Sequence, residues 1–417
     1  LNQLTNNQES RTIIVIGGGA AGFFGAIACA EANPNNEVII VEKTTKLLSK
    51  VKVSGGGRCN VTHACFDEKI LVQHYPRGNK ALMSPFSRFQ PKDTIGWFSE
   101  RGVEMHTEED GRMFPVTNNS QTIIDCLMAE TERLGIKIWT GCDIDQINKK
   151  EKGFDLVTST GQIINADKVL IAAGGNAKLQ AYKWLQDLGH TIEEPVPSLF
   201  TFNIIDNKLR DLLGLSVNDA IVKVQGTKLE SRGPLLITHW GLSGPAVLKL
   251  SAWGARILQT TDYDFNASVC WLPDYTDVLL TEKLQSIKTN ENRKQIATFS
   301  PFTLSLRLWK YIIYRSGIDE ELRWADISKK QFNKLIEELL RGTYHAQGKT
   351  TFKEEFVTCG GISLKDIDFK TMESKVCKGL YFAGEVIDVD GITGGFNFQN
   401  AWTTAFIAGN AISSAVY

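Results

Sequence analysis

The first apolar run, Thr12–Ile16, is short and ends in a cluster of glycines, Gly17–Gly22. An Ala-rich stretch from Ala20 to Glu31 and a second apolar run, Val38–Val41, follow. Short apolar runs bounded by turn residues predict buried strands, and the stretch between them predicts a helix. A glycine-rich loop is expected at Ser54–Gly57, and Ser120–Leu134 has helical periodicity. Short β runs then alternate with turns: Ile136–Thr140, Ile144–Asn148, Phe154–Thr158 and Val169–Ala172. Pro195 and Pro197 suggest a boundary, after which Leu199–Leu272 is β-rich, with a helix start at Ser243-Gly244-Pro245. From Val278 to Leu340 the pattern is Leu, Lys and Glu at helical spacing without a strand. Leu380–Ala383 predicts a buried strand, and Phe396–Ser413 the last helix. The order implies one discontinuous domain, 1–195 with 346–417, into which a β-rich piece, 196–275, and a helical piece, 276–345, are inserted.

A length of 417 residues exceeds one compact core and fits two or three domains. Hydrophobic content of 42% and charged content of 22% are those of a globular protein. A net charge of −1 provides no global field for nucleic acid or an anionic membrane, so neither is expected as a partner. Leu1–Arg11 is polar and has no apolar signal core, and no apolar run is long enough to span a bilayer. Eight scattered cysteines, none in a Cys-x-x-Cys pair, suggest neither a metal site nor a disulfide framework. The expectation is a cytoplasmic protein with reduced thiols. Its oligomeric state is left open.

Four motifs carry chemistry. Gly17-Gly18-Gly19-Ala20-Ala21-Gly22 matches G-x-G-x-x-G between a strand and a helix. Gly17 permits the turn, Gly19 lets a pyrophosphate approach, and Gly22 lets helix and strand pack. Ala20 and Ala21 open the helix whose N-terminal amides would face the phosphates. Glu42, twenty residues after Gly22, stands where a carboxylate binds adenosine ribose hydroxyls and argues against a 2′-phosphate. The second motif, Ser54-Gly55-Gly56-Gly57-Arg58-Cys59-Asn60, exposes backbone amides to a phosphate or a flavin edge, with Arg58 as a candidate countercharge. The third, Val169–Gly175, ends in Ala173-Gly174-Gly175, small residues that allow close approach of a cofactor. The fourth brings Gly384-Glu385 at a strand end and Gly394-Gly395-Phe396-Asn397 at a helix start. A carboxylate for polyol hydroxyls and a helix N-terminus for an electron-rich edge suit a flavin's ribityl chain and N1/O2 edge, which NAD lacks. The cofactor expected is non-covalent FAD, with Lys43 and Lys50 added to its binding set.

These motifs are arranged as in the glutathione-reductase-like FAD superfamily. SGGGRCNVTH, GRMFP at Gly111–Pro115, THWGLSGPA at Thr238–Ala246 and Thr371–Trp402 resemble one bacterial flavoprotein family within it, one that includes aminoacetone oxidases and a reductase of bile-acid enones. The resemblance covers nearly the whole chain. It implies an α/β fold, a discontinuous Rossmann-like FAD-binding domain with an inserted β-barrel-like unit and a small helical unit. It also implies that Ile144, after the Gly141-Cys142-Asp143 turn, contacts adenine through its backbone. His63 stands where the family pattern has Asn.

The expected activity is hydride transfer between FAD and a small organic substrate held between the flavin face and the insert. Asn60, His63, Arg112 and Thr393 are candidates for the pocket. His239 is a further candidate acid or base, although a lone histidine is more often structural. Cys59 and Cys65 have five residues between them, one more than the redox pair of flavin disulfide reductases, and unpaired thiols are expected. There is no second G-x-G-x-x-G, so NAD(P)H enters only as a transient donor. An O₂-dependent amine oxidase is the competing enzyme reading. An RNA-linked or regulatory flavoprotein is the alternative of another class, kept open by Lys310, Arg315, Lys329, Lys330 and Lys334.

Overall fold

The structure, a computed structural model, describes residues 10–350 and 357–414. It divides into two compact units, Leu1–Ser198 with Lys353–Tyr417, and Leu199–Phe352, each taken here on its described residues.

The first unit is built on a seven-stranded sheet in the order Ile367–Asp368, Glu373–Ser374, Leu380–Phe382, Lys168–Ile171, Thr12–Ile16, Glu37–Glu42, Lys137–Thr140. The last five are parallel, with Ile14 opposite both Val169 and Ile39, and Ile171 opposite Phe382. Ile13, Ile14 and Val15 are fully buried, which is why the strand reads as an unbroken apolar run rather than an alternation. Leu380–Phe382 thus lies two places from Thr12–Ile16 despite its distance along the chain, as a discontinuous Rossmann-like fold requires. The helices Ala20–Ala32 and Phe396–Ser414 pack directly on each other. A Cβ on Gly409 would stand 2.6 Å from both Ala28 Cβ and the Gly25 carbonyl oxygen, so glycine sets their separation.

Two features differ from the sequence reading. Pro195 and Pro197 lie inside a strand, Ile192–Ser198, paired antiparallel with Val357–Ile362, and the two units divide directly after it, at Ser198/Leu199. Pro195 falls in the register shift between Glu193 and Val196, and an edge strand tolerates proline at such a bulge or where its nitrogen faces away from the partner. A small sheet of Thr62–His63, Arg112–Pro115 and Met105–Thr107 also went unforeseen, because segments of two to four residues carry no period.

The second unit is a closed six-stranded barrel: Thr201–Ile204, Gly241–Ser243, Glu230–Ile237, Ser216–Val224, Asp264–Cys270 and Gly342–Thr350, returning to the first. The helices Asp277–Asn290, Leu306–Arg315 and Lys329–Arg341 precede its last strand. They are not a separate body. Barrel residues Val222 and Leu235 and helix residues Leu284, Trp309 and Leu335 belong to one buried cluster. The expected break at 345/346 falls inside the closing strand.

Candidate functional site

The first glycine turn shows which glycines are filled and which are open. A Cβ on Gly17 (φ +117°) would lie 2.3 Å from the Ala172 carbonyl oxygen, and one on Gly22 would lie 1.8 Å from that of Gly17. These two glycines are required by the protein's own packing. A Cβ on Gly19 would meet nothing within 4 Å. The same openness is found at Gly56, Gly57 and Gly174. Gly19 and Gly174 follow parallel strands, at the carboxyl ends where such folds bind dinucleotides, and leave room there that a side chain would fill. Glu42 closes the turn: Oε2 accepts from Gly18 N at 2.8 Å, and Oε1 from Thr44 N at 2.9 Å. Oε1 also accepts from Thr44 Oγ1 at 2.9 Å, so the lone pair left for a ribose hydroxyl is on Oε2. The Glu42 carbonyl accepts from Cys142 N at 3.0 Å, which sets the Gly141–Asp143 turn beside it. Ile144, next in sequence, is buried and paired with Thr158. Lys43 is exposed.

The second loop has left-handed backbone at Gly55, Gly56 and Gly57 (φ 58°, 69° and 85°), as its three glycines allow. Its other residues turn inward. Arg58 is an ion-pair partner of Glu108 at 2.6 Å and lies 4.0 Å over the Phe114 ring. Arg112 pairs with Glu108 and Asp110, each at 2.7 Å. Both guanidiniums therefore hold the small sheet's turn, and the countercharge and pocket roles expected of them find no support in this geometry. Cys59 is fully buried, and burial pushes its thiol up to about 12, so it is not a thiolate at neutral pH. Every described cysteine is free. Asn60 is also buried. Its amide donates to the Thr62 carbonyl and accepts from Gly395 N, both at 3.0 Å. It joins the glycine loop to the start of the last helix.

The third and fourth motifs meet at the strand ends. A Cβ on Gly384 would lie 2.9 Å from Ala21 Cβ, which brings the late motif against the first helix. Glu385 pairs with Lys50 at 2.6 Å and accepts from Thr358 N at 2.8 Å. Ala173 is exposed, and a Cβ on Gly175 would crowd Thr358 and Glu385. In the helix Phe396–Ser414 the first internal bond runs from Gln399 N to the Gly395 carbonyl. The amides of Phe396, Asn397 and Phe398 therefore have no intrahelical acceptor. Gly395 N is not among them, since it is taken by Asn60; the Asn397 side chain is held by Gly391, accepting from its N and donating to its O. Thr393 is half-buried beside buried Gly394.

His63 stacks on Phe396 (4.7 Å between ring centroids), and His74 stacks on the same ring (4.3 Å). His63 Nε2 lies 3.0 Å from the Asp110 carbonyl. His74 was missed because aromatic stacking across distant segments leaves no local signal. So was the buried Arg77–Asp390 ion pair, which also takes a hydrogen bond from Ser198 Oγ at 2.7 Å. Burial raises the Asp390 carboxyl to about 6 against the pull of Arg77. His239 belongs to the second unit and is exposed beside Trp240. Among the described residues there is no cluster of ligands for a metal and no helix long and apolar enough to cross a membrane.

Comparison with known proteins agrees with this fold. The family described as HI0933-like protein Rossmann domain matches residues 11–411. The chain is 30% identical over 406 residues to a ribosomal RNA dihydrouridine synthase of Haemophilus influenzae, covering 94% of this chain and 96% of that protein. It is 26% identical over 401 residues to a 3-dehydro-bile acid delta(4,6)-reductase of Clostridium scindens, with the same coverage. The solved 3-ketosteroid delta1-dehydrogenase of Sterolibacterium denitrificans shares the fold: TM-score 0.53, 12% identity, 97% of this chain and 99% of that one. Open Gly19 and Gly174, with Glu42 ending and Glu385 following other strands of the same sheet, fit FAD. The chain is an FAD-dependent oxidoreductase and belongs to the HI0933-like family.

Proposed function

We propose that the chain reduces a carbon–carbon double bond conjugated to a carbonyl group. The observation that carries this reading is the pair of relatives. A bile-acid delta(4,6)-reductase acts on ring double bonds of a 3-oxo steroid, and a dihydrouridine synthase saturates the uracil double bond conjugated to a carbonyl. The substrates differ in everything except that electrophilic carbon. FAD, once reduced by NAD(P)H, would supply the hydride, a proton from solvent would complete the saturation, and this chain's residues would bind, orient and shield the cofactor. Gly19 and the amides opening the helix Ala20–Ala32 receive the pyrophosphate. Glu42 takes the adenosine ribose. Lys50 and Glu385 lie at the ribityl end, and the amides of Phe396, Asn397 and Phe398 favour the electron-rich flavin edge. NAD(P)H is the proposed reductant.

Uridine in ribosomal RNA is the first substrate to test, since relatives at 30% and 29% identity carry that activity. Charge distribution favours it over the whole-chain balance: residues 199–352 hold 20 Lys and Arg against 16 Asp and Glu, and the remainder 26 against 31. The test is anaerobic. Enzyme reduced with NADPH or NADH is mixed with a uridine-containing ribosomal RNA fragment, or with a 3-oxo-4-ene steroid, and flavin absorbance and products are followed. Reoxidation with dihydrouridine in the RNA is expected. Reoxidation by air alone, with an amine consumed, overturns the reading in favour of an amine oxidase.

A further inference from the structure

We propose that the buried Arg77–Asp390 ion pair is a positioning device, one that holds the first amides of the helix Phe396–Ser414 in place at the electron-rich edge of the flavin. The proposal rests on the assignment of FAD and on that helix start facing the flavin. The Asp390 side chain is fully buried, and that of Arg77 is 15% exposed. The guanidinium grips the carboxylate with two nitrogens: Nε donates to Oδ1 at 2.5 Å, and Nη2 donates to Oδ2. The backbones of the two residues form an antiparallel bridge as well. Ser198 Oγ adds a hydrogen bond to Oδ2 at 2.7 Å. Replacing a buried ion pair by apolar residues of similar volume is often neutral for stability or better, so stability does not account for this one. What a guanidinium fork on a carboxylate adds is a fixed orientation, which sliding apolar surfaces do not give.

What is oriented is the loop between Glu385 and the last helix. Gly391, next to Asp390, is tied to the helix start by both its backbone groups: its N–H donates to Asn397 Oδ1 at 2.8 Å, and its carbonyl accepts from Asn397 Nδ2 at 2.9 Å. The residues beside Arg77 reach the same loop. The His74 carbonyl accepts from Ile392 N at 2.9 Å, and the Tyr75 hydroxyl donates to the Phe396 carbonyl at 2.6 Å. A Cβ on Gly78 would stand 2.5 Å from Val389 Cγ2, so the two segments touch. Residues 74–78 thus brace residues 389–396, and the ion pair is the charged member of the brace. The field of a helix terminus falls off within its first turn, so a small displacement of Phe396, Asn397 and Phe398 changes what the flavin edge meets. Neither Arg77 nor Asp390 carries a sequence signal, since they stand 313 positions apart.

The test uses the full chain loaded with FAD: the parent, Asp390→Asn, and the double variant Arg77→Met with Asp390→Asn, which leaves no charge buried at the pair. Gly395→Val is the control for the helix start. Redox titration reads the flavin potential, calorimetry on the stripped chain reads ADP affinity, and melting reads stability. In both Asp390 variants reduced FAD is expected to lose about threefold in binding relative to oxidised FAD, the worth of a helix terminus. That is a fall of about 14 mV, at roughly 30 mV per tenfold change for a two-electron couple. ADP affinity should stay within about twofold of the parent, because the adenosine site is elsewhere in the fold. The double variant should recover stability lost in Asp390→Asn without recovering the potential. A parental potential in folded, FAD-loaded Asp390→Asn overturns the proposal. So does a potential that returns together with stability in the double variant, or failure of both variants to fold, since the pair would then be structural. If Gly395→Val also leaves the potential unmoved, the placement of the helix start at the flavin is refuted, and a parent that takes up no FAD refutes the cofactor assignment.

Discussion

Gly17 and Gly19, two residues apart, need glycine for opposite reasons. A side chain at 17 would strike the Ala172 carbonyl, whereas at 19 it would enter open space. Gly19→Val should therefore fold, with an unchanged far-ultraviolet circular dichroism spectrum and melting temperature, yet retain no flavin. Gly17→Val should lose stability outright. A folded Gly19→Val protein with full flavin content would place the phosphates elsewhere. Cys59 is buried with its thiol raised to about 12, so it should resist alkylation at neutral pH in the folded chain, and Cys59→Ser should keep turnover. A flavin–thiolate charge-transfer band that vanished in Cys59→Ser would contradict this. The turn and Glu42 were legible in the sequence because their partners are near neighbours along it, Gly18 and Thr44. The contacts of Arg58 with Glu108 and Phe114 were not legible, because these residues come from a hairpin some fifty residues on.

Between elements, polar side chains fix what the apolar runs leave loose. His190 is buried, with Nδ1 3.1 Å from the Leu185 carbonyl and Nε2 2.7 Å from Ser374 Oγ. Ser374 Oγ already accepts from Val376 N and Cys377 N, so its proton is left to donate to a neutral imidazole. Burial accordingly lowers the His190 pKa. The unfolded chain takes up a proton below about pH 6.5 that the folded chain resists, so this contribution to stability is present above that pH and is lost as pH falls. Melting temperature should decline from pH 7.5 to 5.5 more steeply in the parent than in His190→Gln; equal slopes would rule out the histidine as the cause. The last helix gives a second test. A Cβ at Gly395 would stand 2.5 Å from the Thr62 carbonyl, so Gly395→Val should displace the helix start with FAD still bound. The flavin potential should then fall by on the order of 10–20 mV, the worth of a helix terminus for a two-electron couple, in a redox titration. An unchanged potential would mean these amides face something else. Long elements such as Gln121–Arg133 and Phe396–Ser414 were legible from their periodicity. The link from Asn60 to Gly395 was not, since it is a single amide joining segments far apart in sequence.

For the whole chain, the late strand in the main sheet was foreseeable because Glu385 and the glycines after it make sense only beside the first turn. The unity of the insert was not, because a barrel closed by Gly342–Thr350 depends on pairing with Thr201–Ile204 and Asp264–Cys270. Its single core, including Trp271, Trp309 and Trp324, predicts that residues 199–352 produced alone will unfold cooperatively by tryptophan fluorescence. A gradual, sloping transition would show that the core does not suffice. The ribbon that the two prolines disguised has a further consequence. Ser198 lies opposite Val357, so the segments on either side of residues 199–352 are paired within the first unit. Bringing the ends of a long segment together costs an entropy that rises only with the logarithm of its length. The sheet-bearing unit can thus keep its folding and its nucleotide grip while evolution enlarges, trims or replaces the appended barrel. Two relatives matched along almost their whole length, one named for a bile acid and the other for ribosomal RNA, keep the insert, so their difference lies in side chains rather than in its presence.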